Sequence, residues 1–363
     1  MSSIRCVNCE NKIFINKVID QLNYHICYGR VKHFYDELVG LKVIYKFIHF
    51  LLIIFAFFID VYPLNADEDI ADQYPNSALY SKPVEFIPHV YSAIGATAPP
   101  SYENSGHNNN LSFIITGEGV VVINSGAAFT LAKALHEEIK LVTDQPVKLV
   151  INENAQGHAV LGNNYWTQLD VPILAHEDAE QEFEERGYDI LERMKGYNHE
   201  KSQGTILQGP TITFGKKYLV PFGNFPIEVL YFGPAHSKGD ISVWLPEQKI
   251  VIAGDIAFHE RMLPIFSDTD TAAWIETWNA EFEPLGATYV IPGHGHPTNM
   301  AQVKLYTHDY LVYLRTKISE HLYNGGELKD AYYVDQSLYS GLDTFEELAT
   351  NNAGRVYEAM EFE

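Results

Sequence analysis

The sequence predicts an α/β fold in which strands and helices pack in layers. Short apolar runs bounded by turn residues alternate along the chain with longer amphipathic segments, which is the pattern of sheets covered by helices. Two of these runs, residues 120–124 and 250–253, carry no charge, as expected for buried strands. At 363 residues, 46% of them hydrophobic, the chain is large enough to bury a substantial core in one large or two ordinary domains.

The first half of the predicted fold contains most of the turn signals. Residues 86–94 alternate polar and apolar side chains and predict a first strand, and a loop rich in Pro, Ser, Gly and Asn follows it. The apolar runs 111–116 and 120–124 flank a Gly-Glu-Gly turn and predict a hairpin. The remaining predicted elements are the helix 129–142, the strands 147–151 and 171–175, the long charged helix 176–194 and a second hairpin, 211–214 with 217–220.

The second half begins with apolar runs that lead directly to polar residues. Strands are predicted at residues 227–232, 241–245, 250–253 and 289–292 because each run is short, apolar and bounded by Gly, Pro or polar residues. Trp274 and Trp278 lie four residues apart on the predicted helix 271–281, and this spacing favours a core-facing stripe. A long helix is predicted at residues 300–323, and the acidic residues from 327 to the end are also predicted to be helical.

The acidic composition restricts the possible partners. The chain has 25 Lys and Arg against 47 Asp and Glu, with a formal net charge of −22 at pH 7. This balance argues against nucleic acid and favours small or cationic partners, and a small-molecule substrate is expected. No G-x-S-x-G motif and no phosphate-binding Gly-rich loop occurs in the sequence. The oligomeric state is left open.

Residues 1–66 are predicted to be a leader that contains a secretory signal peptide. Residues 50–59 are ten apolar residues without a charge, too few for the roughly 20 that span a bilayer core. Lys42 and Lys46 precede the run, and small and polar residues follow it, so cleavage is predicted after Ala66. The alternatives are an uncleaved anchor and a true start at Val43. All three cysteines lie in the leader, so the mature chain is expected to have no thiol. After cleavage no stable membrane insertion is expected, and export would place the protein in the periplasm or outside the cell.

Three polar residues follow predicted strands at points where loops are held by a rigid sheet. His236 follows residues 227–232, Asp255 follows residues 250–253, and His294 lies between two glycines after residues 289–292. Residues at strand ends tend to carry ligands and catalytic groups. Imidazole nitrogen and carboxylate oxygen together are the ligands of zinc, iron and manganese. The three residues are therefore candidates for one metal site.

The motifs A-H-S-x-G-D, A-G-D and P-G-H-G, in this order and spacing, resemble the later half of the metallo-β-lactamase superfamily. The resemblance extends from about residue 86 to about residue 313. It implies an αβ/βα four-layer sandwich of two mixed sheets with helices outside and the site at one sheet edge. We therefore predict a leader at residues 1–66, a metallo-β-lactamase-like domain at 67–325 and a C-terminal helical extension at 326–363, which is a candidate lid or interface.

The first family motif is altered in this chain. Relatives carry H-x-H-x-D-H followed by G-N, whereas residues 152–163 read N-E-N-A-Q-G-H-A-V-L-G-N. An ungapped count back from Gly162 places Asn154 and Gln156 at the first two histidines and His158 at the Asp. A shift of one residue makes His158 the last histidine instead. The pattern N-x-N-x-Q-x-H resembles an exported, SoxH-like branch of the family.

A second departure lies at Asn124, where the family usually has an Asp. In the family, that Asp supports the metal-binding loop without touching the metal. In this chain the neutral amide of Asn124 replaces that carboxylate.

We predict one metal ion bound by His158, Asp255 and His294, with His236 as the fourth ligand or as a hydrogen-bond partner. Zinc is the favoured ion, and iron or manganese remain possible. In this prediction Asp255 holds the metal, while His236 or His158 orients water or accepts a proton. The alternative interpretation is an empty pocket whose histidines satisfy neighbouring polar groups. No organic cofactor is predicted.

The remaining histidines are assigned other roles. His176 is predicted to be structural, and His107 is expected to lie in a solvated loop. His308 and His321 are expected on the surface of the helix 300–323. His296 follows His294 by two residues, but it is not predicted to be a ligand.

The resemblance implies an exported metal-dependent hydrolase in which metal-activated water attacks a lactam, ester or thioester. The alternative is a catalytically weak relative that binds a metal or another ligand and serves a periplasmic redox system. Metal content and a hydrolysis screen distinguish these two functions, since fold alone does not determine the reaction.

Overall fold

The computed structural model describes residues 74–363, so the predicted leader, signal peptide and cleavage position lie outside the described residues. Within these residues twelve strands form two sheets. The seven-stranded sheet has the order β1-β2-β3-β4-β5-β6-β7. Its strands are β1 (Val84–Ile87), β2 (Val90–Ala93), β3 (Leu111–Ile115), β4 (Val120–Ile123), β5 (Val147–Ile151), β6 (Ile173–His176) and β7 (Ile212–Phe214).

The five-stranded sheet has the order β12-β11-β10-β9-β8. Its strands are β8 (Lys217–Leu219), β9 (Glu228–Leu230), β10 (Ser242–Leu245), β11 (Ile250–Phe258) and β12 (Tyr289–His294). Both sheets are mixed: β1 to β4 pair antiparallel and β4 to β7 parallel, whereas only the β11–β12 pair is parallel in the smaller sheet. The prediction of two mixed sheets is confirmed.

The helices lie in chain order between and after the strands. They are α1 (Phe129–Val142), α2 (Gly157–Val160), α3 (Asn163–Thr167), α4 (Glu177–Asn198), α5 (Thr271–Thr277), α6 (Met300–Tyr306), α7 (His308–Tyr323), α8 (Leu328–Ala331) and α9 (Phe345–Met360). None of the helices in residues 74–363 combines the length and the apolar character that a membrane crossing requires.

Three apolar cores hold four layers together. Residues of both sheets, such as Val121 and Ile252, form the inner core between them. Leu131 of α1 packs with Val122 on the outer face of the larger sheet, and Trp274 packs with Val251 on the outer face of the smaller sheet. Successive residues of a strand face opposite sides, so β11 contributes to two cores, which explains its uninterrupted apolar sequence. The predicted four-layer sandwich with helices outside is confirmed.

Three predicted elements differ from the structure. Residues 86–94 are not one strand, because His89 has a φ of 73° and turns the chain between β1 and β2. The helix 300–323 is interrupted at Thr307, whose side-chain oxygen accepts a hydrogen bond from the backbone N–H of Phe258 at 2.8 Å and donates one to its carbonyl at 3.2 Å. Asp255 lies inside β11 instead of just beyond the end of the strand.

The C-terminal residues are helical, as predicted, and they pack against the smaller sheet's outer helices. Val356 and Tyr357 of α9 belong to the same core as Trp274 and Leu314. Asn352 of α9, 1% exposed, accepts a hydrogen bond from the N–H of Ile265 at 2.9 Å and donates to the carbonyl of Leu263 at 2.8 Å. The C-terminal segment therefore fixes the chain that follows β11.

Candidate metal site

The parallel pair β11–β12 supplies the two residues at the base of the site. Gly254 pairs with Pro292 and Phe258 with His294, so Asp255 and His294 meet at the same edge of the sheet. A side chain at Gly254, whose φ is 66°, would place its Cβ 2.5 Å from Oε2 of Glu153. A Cβ at Gly293 would lie 2.5 Å from Oδ1 of Asp255. Both glycines are required by the close approach of carboxylates to the backbone.

His158 and His236 reach Asp255 from two other segments. His158 lies on α2, directly after the loop that follows β5, and its Nε2 is 3.4 Å from Oδ2 of Asp255. His236 lies on the loop between β9 and β10, and its Nδ1 is 3.5 Å from the same oxygen. His294 Nε2 is 3.2 Å from Oδ1 of Asp255. All four side chains are buried.

Three of these four residues have the geometry of a metal-binding group. One ligand atom from each of His158, Asp255 and His294 lies within 4.8 Å of the others. No other group of three or more potential ligands occurs among residues 74–363. Two imidazoles and one carboxylate are a donor set of catalytic zinc sites and of non-haem iron sites.

The hydrogen bonding of His294 supports a cation at this position. Its Nδ1 bonds to the backbone carbonyl of Asn108, and because a carbonyl only accepts, Nδ1 carries the proton. The lone pair of Nε2 then faces Asp255 Oδ1, which is buried and makes no hydrogen bond with residues 74–363. Two acceptors 3.2 Å apart repel unless a proton or metal ion lies between them. The residues present therefore fit a metal ion.

His236 is held differently from the other two histidines. Its Nδ1 lies 2.7 Å from Nε2 of Gln156, and its ring packs against Phe266 and Trp274 with centroid distances of 5.1 and 5.6 Å. His236 is not part of the three-residue group. Two roles were predicted for His236, and the contact with Gln156 is consistent with that of a hydrogen-bond partner. The role as fourth metal ligand stays a prediction.

The amides of the altered motif point into the site. Asn154 Nδ2 donates hydrogen bonds of 3.1 Å to both Asp240 and Asp255, and its Oδ1 accepts from the N–H of Gln156 at 2.9 Å. Asn154 and Gln156 thus occupy positions beside the metal-binding group. Asn124, whose φ is 66°, accepts a hydrogen bond from the N–H of Glu153 at 3.0 Å and so supports the start of this loop.

The three carboxyl groups at the site, those of Glu153, Asp240 and Asp255, differ in the direction of their pKa shifts. Burial raises the pKa of Asp255, but the charges of His158 and His294 outweigh burial and hold it below its usual range. Burial and the charge of Asp255 raise the pKa of Glu153, and they raise that of Asp240 well above its usual value. Asp255 is therefore the carboxylate of the three that is most readily ionised, and it is the one best suited to bind a cation.

The histidines also differ in proton affinity. Burial lowers the pKa of His294 to about 4 and also lowers that of His236. Burial lowers the pKa of His158 as well, but the charges of Asp255 and Glu153 more than offset it, so the net shift is upward. His158 Nε2 lies 3.1 Å from Glu153 Oε1. A cation bound by His158 would therefore replace its proton.

Four functional neighbours of the site were not predicted from the sequence. They are Asn108, Glu153, Asp240 and Arg261, which contact His294, His158, Asn154 and His294 respectively. Glu153 and Asp240 lie inside two of the quoted motifs, N-E-N-A-Q-G-H and A-H-S-x-G-D, and an acidic residue within such a motif is the signal that could have identified them. Arg261 follows Asp255 by six residues, in a segment that the sequence places beside the site, whereas Asn108 reaches the site only through the folded chain.

A cavity of about 320 Å³ opens onto the site. Its inner end is lined by His158, His236 and His294. One face of α4 forms a wall with Glu182, Arg186, Ile190, Arg193 and Tyr197, which are spaced three or four residues apart. Pro99, Pro264, Phe266 and Leu348 form apolar walls. The size and lining are those of a small-molecule site.

The other histidines lie outside the metal-binding group. His176 is buried and caps α4 by accepting from the N–H of Asp178 at 3.2 Å, as a structural residue would. His107 was expected in a solvated loop and is fully buried, because the N–H of Tyr80 donates to its Nδ1 at 2.8 Å. His308 was expected on the surface, but its ring packs near Trp278 and is 9% exposed. His296 bonds to Glu260 at 2.7 Å.

Comparison with known proteins agrees with the fold. No family model matches the chain. A type 2 metallo-β-lactamase from Bacteroides fragilis is 25% identical over 195 residues, which are 50% of this chain and 70% of the relative. One from Bacillus cereus is 25% identical over 185 residues, 50% of this chain and 64% of the relative.

A solved metallo-β-lactamase from Pontibacter korlensis superimposes with a TM-score of 0.53 at 19% identity, covering 63% of this chain and 98% of that one. The fold is that of the metallo-β-lactamases. The sequence relatives and the structural neighbours together support the metallo-β-lactamase superfamily. The metallo-β-lactamase relatives suggest a hydrolase.

Proposed function

We propose that the protein is an exported metal-dependent hydrolase that uses one metal ion, held by His158, Asp255 and His294. The observation that carries the proposal is the group of three buried ligand atoms, all within 4.8 Å of one another, at the inner end of a cavity of about 320 Å³. Zinc is favoured by the donor set, and iron or manganese fit the same donors. When bound, such a metal supplies water of lowered pKa and polarises a carbonyl.

The chain's own residues position the reactants. Asn154 fixes Asp255 by donating to Oδ2 at 3.1 Å, and Gln156 fixes His236 at 2.7 Å. Because burial lowers the pKa of His236, the imidazole is neutral at pH 7. The amide of Gln156 donates to its Nδ1, so Nε2 carries the proton and is able to orient water by donating a hydrogen bond. The apolar walls of the cavity exclude water from the rest of a bound molecule. We assign lactams, esters and thioesters as the substrate class.

Export to the periplasm or beyond is part of this proposal. It rests on the apolar residues 50–59 and their basic flank, which lie outside the described residues. Determination of the N-terminal residue of protein purified from the native source tests it. An N-terminus at Asp67 is expected after export, and one near Met1 would argue against cleavage.

A second candidate function is supported by the amides in the altered motif. Asn154 and Gln156 bond to side chains beside the metal-binding group, and amides are poor zinc ligands compared with imidazole. A catalytically weak protein that binds a metal or another ligand and serves a periplasmic redox system would also have such a site.

Hydrolysis assays separate the two functions. The full-length protein, loaded with one equivalent of zinc, is assayed with nitrocefin, 4-nitrophenyl acetate and acetylthiocholine. Variants Asp255→Ala and His294→Ala are compared with His321→Gln, which changes a histidine outside the cavity. Hydrolysis lost in the first two variants and kept in the third supports the hydrolase. Hydrolysis that is unchanged in all three would eliminate the metal mechanism, and bound zinc without hydrolysis would favour the second function.

A further inference from the structure

The C-terminal extension contributes a side chain to the cavity. Leu348, in the first turn of α9, lines the cavity together with Pro264 and Phe266 of the loop that follows β11. Leu348 is partly buried, and it packs on the core that contains Trp274. Residues 326–363 therefore form part of the site as well as covering the outer helices of the smaller sheet.

The extension is built as a fixed wall and not as a movable lid. Ala353, Val356 and Tyr357 of α9 are buried, and they share a core with Trp274. Lifting α9 away from the cavity would expose these side chains to water, which is unfavourable because their apolar burial stabilises the fold. Leu348 is therefore expected to keep its position when a molecule enters the cavity.

Asp343, two residues before α9, is bonded to two separate loops. Its backbone N–H donates to the carbonyl of Glu260 at 3.1 Å, and its carbonyl accepts from the N–H of Met262 at 2.8 Å. Its carboxylate accepts a hydrogen bond from the hydroxyl of Thr97, 246 positions earlier in the chain. Thr97 is 3% exposed, so this hydrogen bond is shielded from water. One residue of the extension thus joins the loop after β2 to the loop after β11.

Both of these loops form walls of the cavity. Pro99 and Pro100 line it from the loop after β2, which also carries Asn108, the hydrogen-bond partner of His294. Phe266 lines it from the loop after β11. The hydrogen bonds of the extension therefore fix the positions of two walls relative to each other, and a bound molecule has to fit between the walls as they are held.

The backbone turns in an unfavourable conformation where the extension meets the cavity. Thr344 has a φ of 63°, which is rare for a β-branched residue. Its Oγ1 donates to the carbonyl of Met262 at 3.3 Å. Strained backbone of this kind persists where the surrounding structure requires it, and it is frequent at functional sites. The strain lies between Asp343 and Leu348, the two residues that connect the extension to the cavity.

We propose that the C-terminal extension limits the size of the substrate: Leu348 contacts the apolar part of the bound molecule, and Asp343 is a positioning residue that holds two neighbouring walls together. This inference rests on the proposed hydrolase function and adds a specificity-determining residue to it. A larger side chain in place of Leu348 reduces the space for the substrate, whereas loss of the hydrogen bond from Thr97 lets the loops separate. The two changes are therefore expected to shift the preferred substrate size in opposite directions.

Two esters that share a leaving group test the contact with Leu348. The measured quantity is the ratio of kcat/KM for 4-nitrophenyl hexanoate to kcat/KM for 4-nitrophenyl acetate, with the zinc-loaded full-length protein. In Leu348→Trp this ratio is expected to fall at least about tenfold, because the apolar contact of even one methylene group is worth about that factor. Leu141→Trp, at an exposed leucine of α1 outside the cavity, is the control and is expected to keep the wild-type ratio.

The hydrogen bond to Asp343 is tested with two variants of Thr97. Thr97→Val removes the hydroxyl and keeps the shape of the side chain, and the same ratio is expected to rise about fivefold as the loops separate. Thr97→Ser keeps a hydroxyl and is expected to have the wild-type ratio. A lower Tm in Thr97→Val with an unchanged ratio would contradict the positioning role.

A binding measurement separates this inference from the hydrolase function. Calorimetry with N-(4-nitrophenyl)hexanamide and N-(4-nitrophenyl)acetamide gives the ratio of their Kd values for the wild type, Leu348→Trp and Thr97→Val. A relative loss of affinity for the hexanamide in Leu348→Trp supports the inference even where neither ester is hydrolysed. The same size preference in all three proteins, in both kinetics and binding, would overturn it and leave the hydrolase proposal intact.

Discussion

The two halves of the candidate site are built in different ways. The later half, from β11 and β12, supplies Asp255 and His294, while the earlier half, after β5, supplies His158 and the amides Asn154 and Gln156. A charged carboxylate and imidazoles bind a metal, whereas neutral amides orient the groups that do so. The comparison indicates that the later half supplies two of the three members of the metal-binding group, whereas the earlier half supplies one member together with the amides that orient the site.

The halves are also anchored differently. The earlier loop is held largely by its own residues: Asn152 donates to the carbonyl of Ala159 at 2.7 Å and to Asn163 Oδ1 at 3.1 Å. The later half depends on remote segments. Asn110 Nδ2 donates to the carbonyls of Pro292 at 2.8 Å and Gly295 at 2.7 Å. The later half is therefore more sensitive to changes far away in the sequence.

The largest effect is expected for Asp255→Asn in the later half. The substitution keeps the shape of the side chain but removes the charge that binds the cation. We expect loss of the bound metal and a fall in kcat/KM of about 10³-fold, which corresponds to the several kcal/mol that a metal contributes. Metal analysis and steady-state kinetics measure both.

The control for this variant is Asp170→Asn, at a turn residue with a φ of 58° that does not line the cavity. Its metal content and kinetics are expected to match the wild type. Retention of a full equivalent of metal by Asp255→Asn would show that the later half does not provide the charge that holds the ion.

The next effect concerns the remote anchor of the later half. Asn352→Ala removes hydrogen bonds to the backbone of Leu263 and Ile265 and to the hydroxyl of Tyr310. We expect the free energy of unfolding to fall by about 3 kcal/mol, because buried backbone groups lose their partners. Urea denaturation measures it. The exposed neighbour Asn351→Ala is the control, with an expected change within about 0.5 kcal/mol. Equal free energies of unfolding for the two variants would show that Asn352 does not anchor this segment.

Lowering the pH is expected to weaken the segment that supports His294. Burial lowers the pKa of His107 to about 3, whereas a histidine in the unfolded chain has a pKa of about 6.5. Between these two pH values the unfolded chain therefore binds a proton that the folded chain does not. Stability is therefore complete above pH 6.5 and is lost as the pH falls. From pH 7 to pH 5 this one group removes about 2 kcal/mol of the free energy of unfolding. The same measurement on His107→Gln is expected to show a smaller loss, and an equal loss would assign the effect to other groups.

The smallest effect is expected in the earlier half. Gln156→Ala removes the contact of 2.7 Å that orients His236, without removing a member of the metal-binding group. We expect kcat/KM to fall about tenfold with metal content unchanged, as for other groups that orient site residues. Gln181→Ala, on the exposed side of α4, is the control. Loss of the metal in Gln156→Ala would mean that the amide is itself a ligand.

The sequence predicted the later half of the site better than its supports. Asp255 and His294 follow apolar runs in short motifs, and these local patterns place them at the same edge of the sheet. Asn108 contacts His294 across 186 positions of the chain, and Asn154 contacts Asp255 across 101 positions. No local period encodes such contacts, so Asn108 as a support and His107 as a buried residue were missed. The break at Thr307 was missed for the same reason, since it depends on the backbone of Phe258.

Metal content of the purified full-length protein tests the central claim most directly. The protein is given excess zinc, dialysed against metal-free buffer, and analysed by mass spectrometry for zinc, iron and manganese. One ion per chain is expected, with less than about 0.1 ion in His158→Ala, Asp255→Ala and His294→Ala, because each supplies one of the three ligand atoms. No bound metal in the wild type, or a full equivalent in all three variants, would contradict the account.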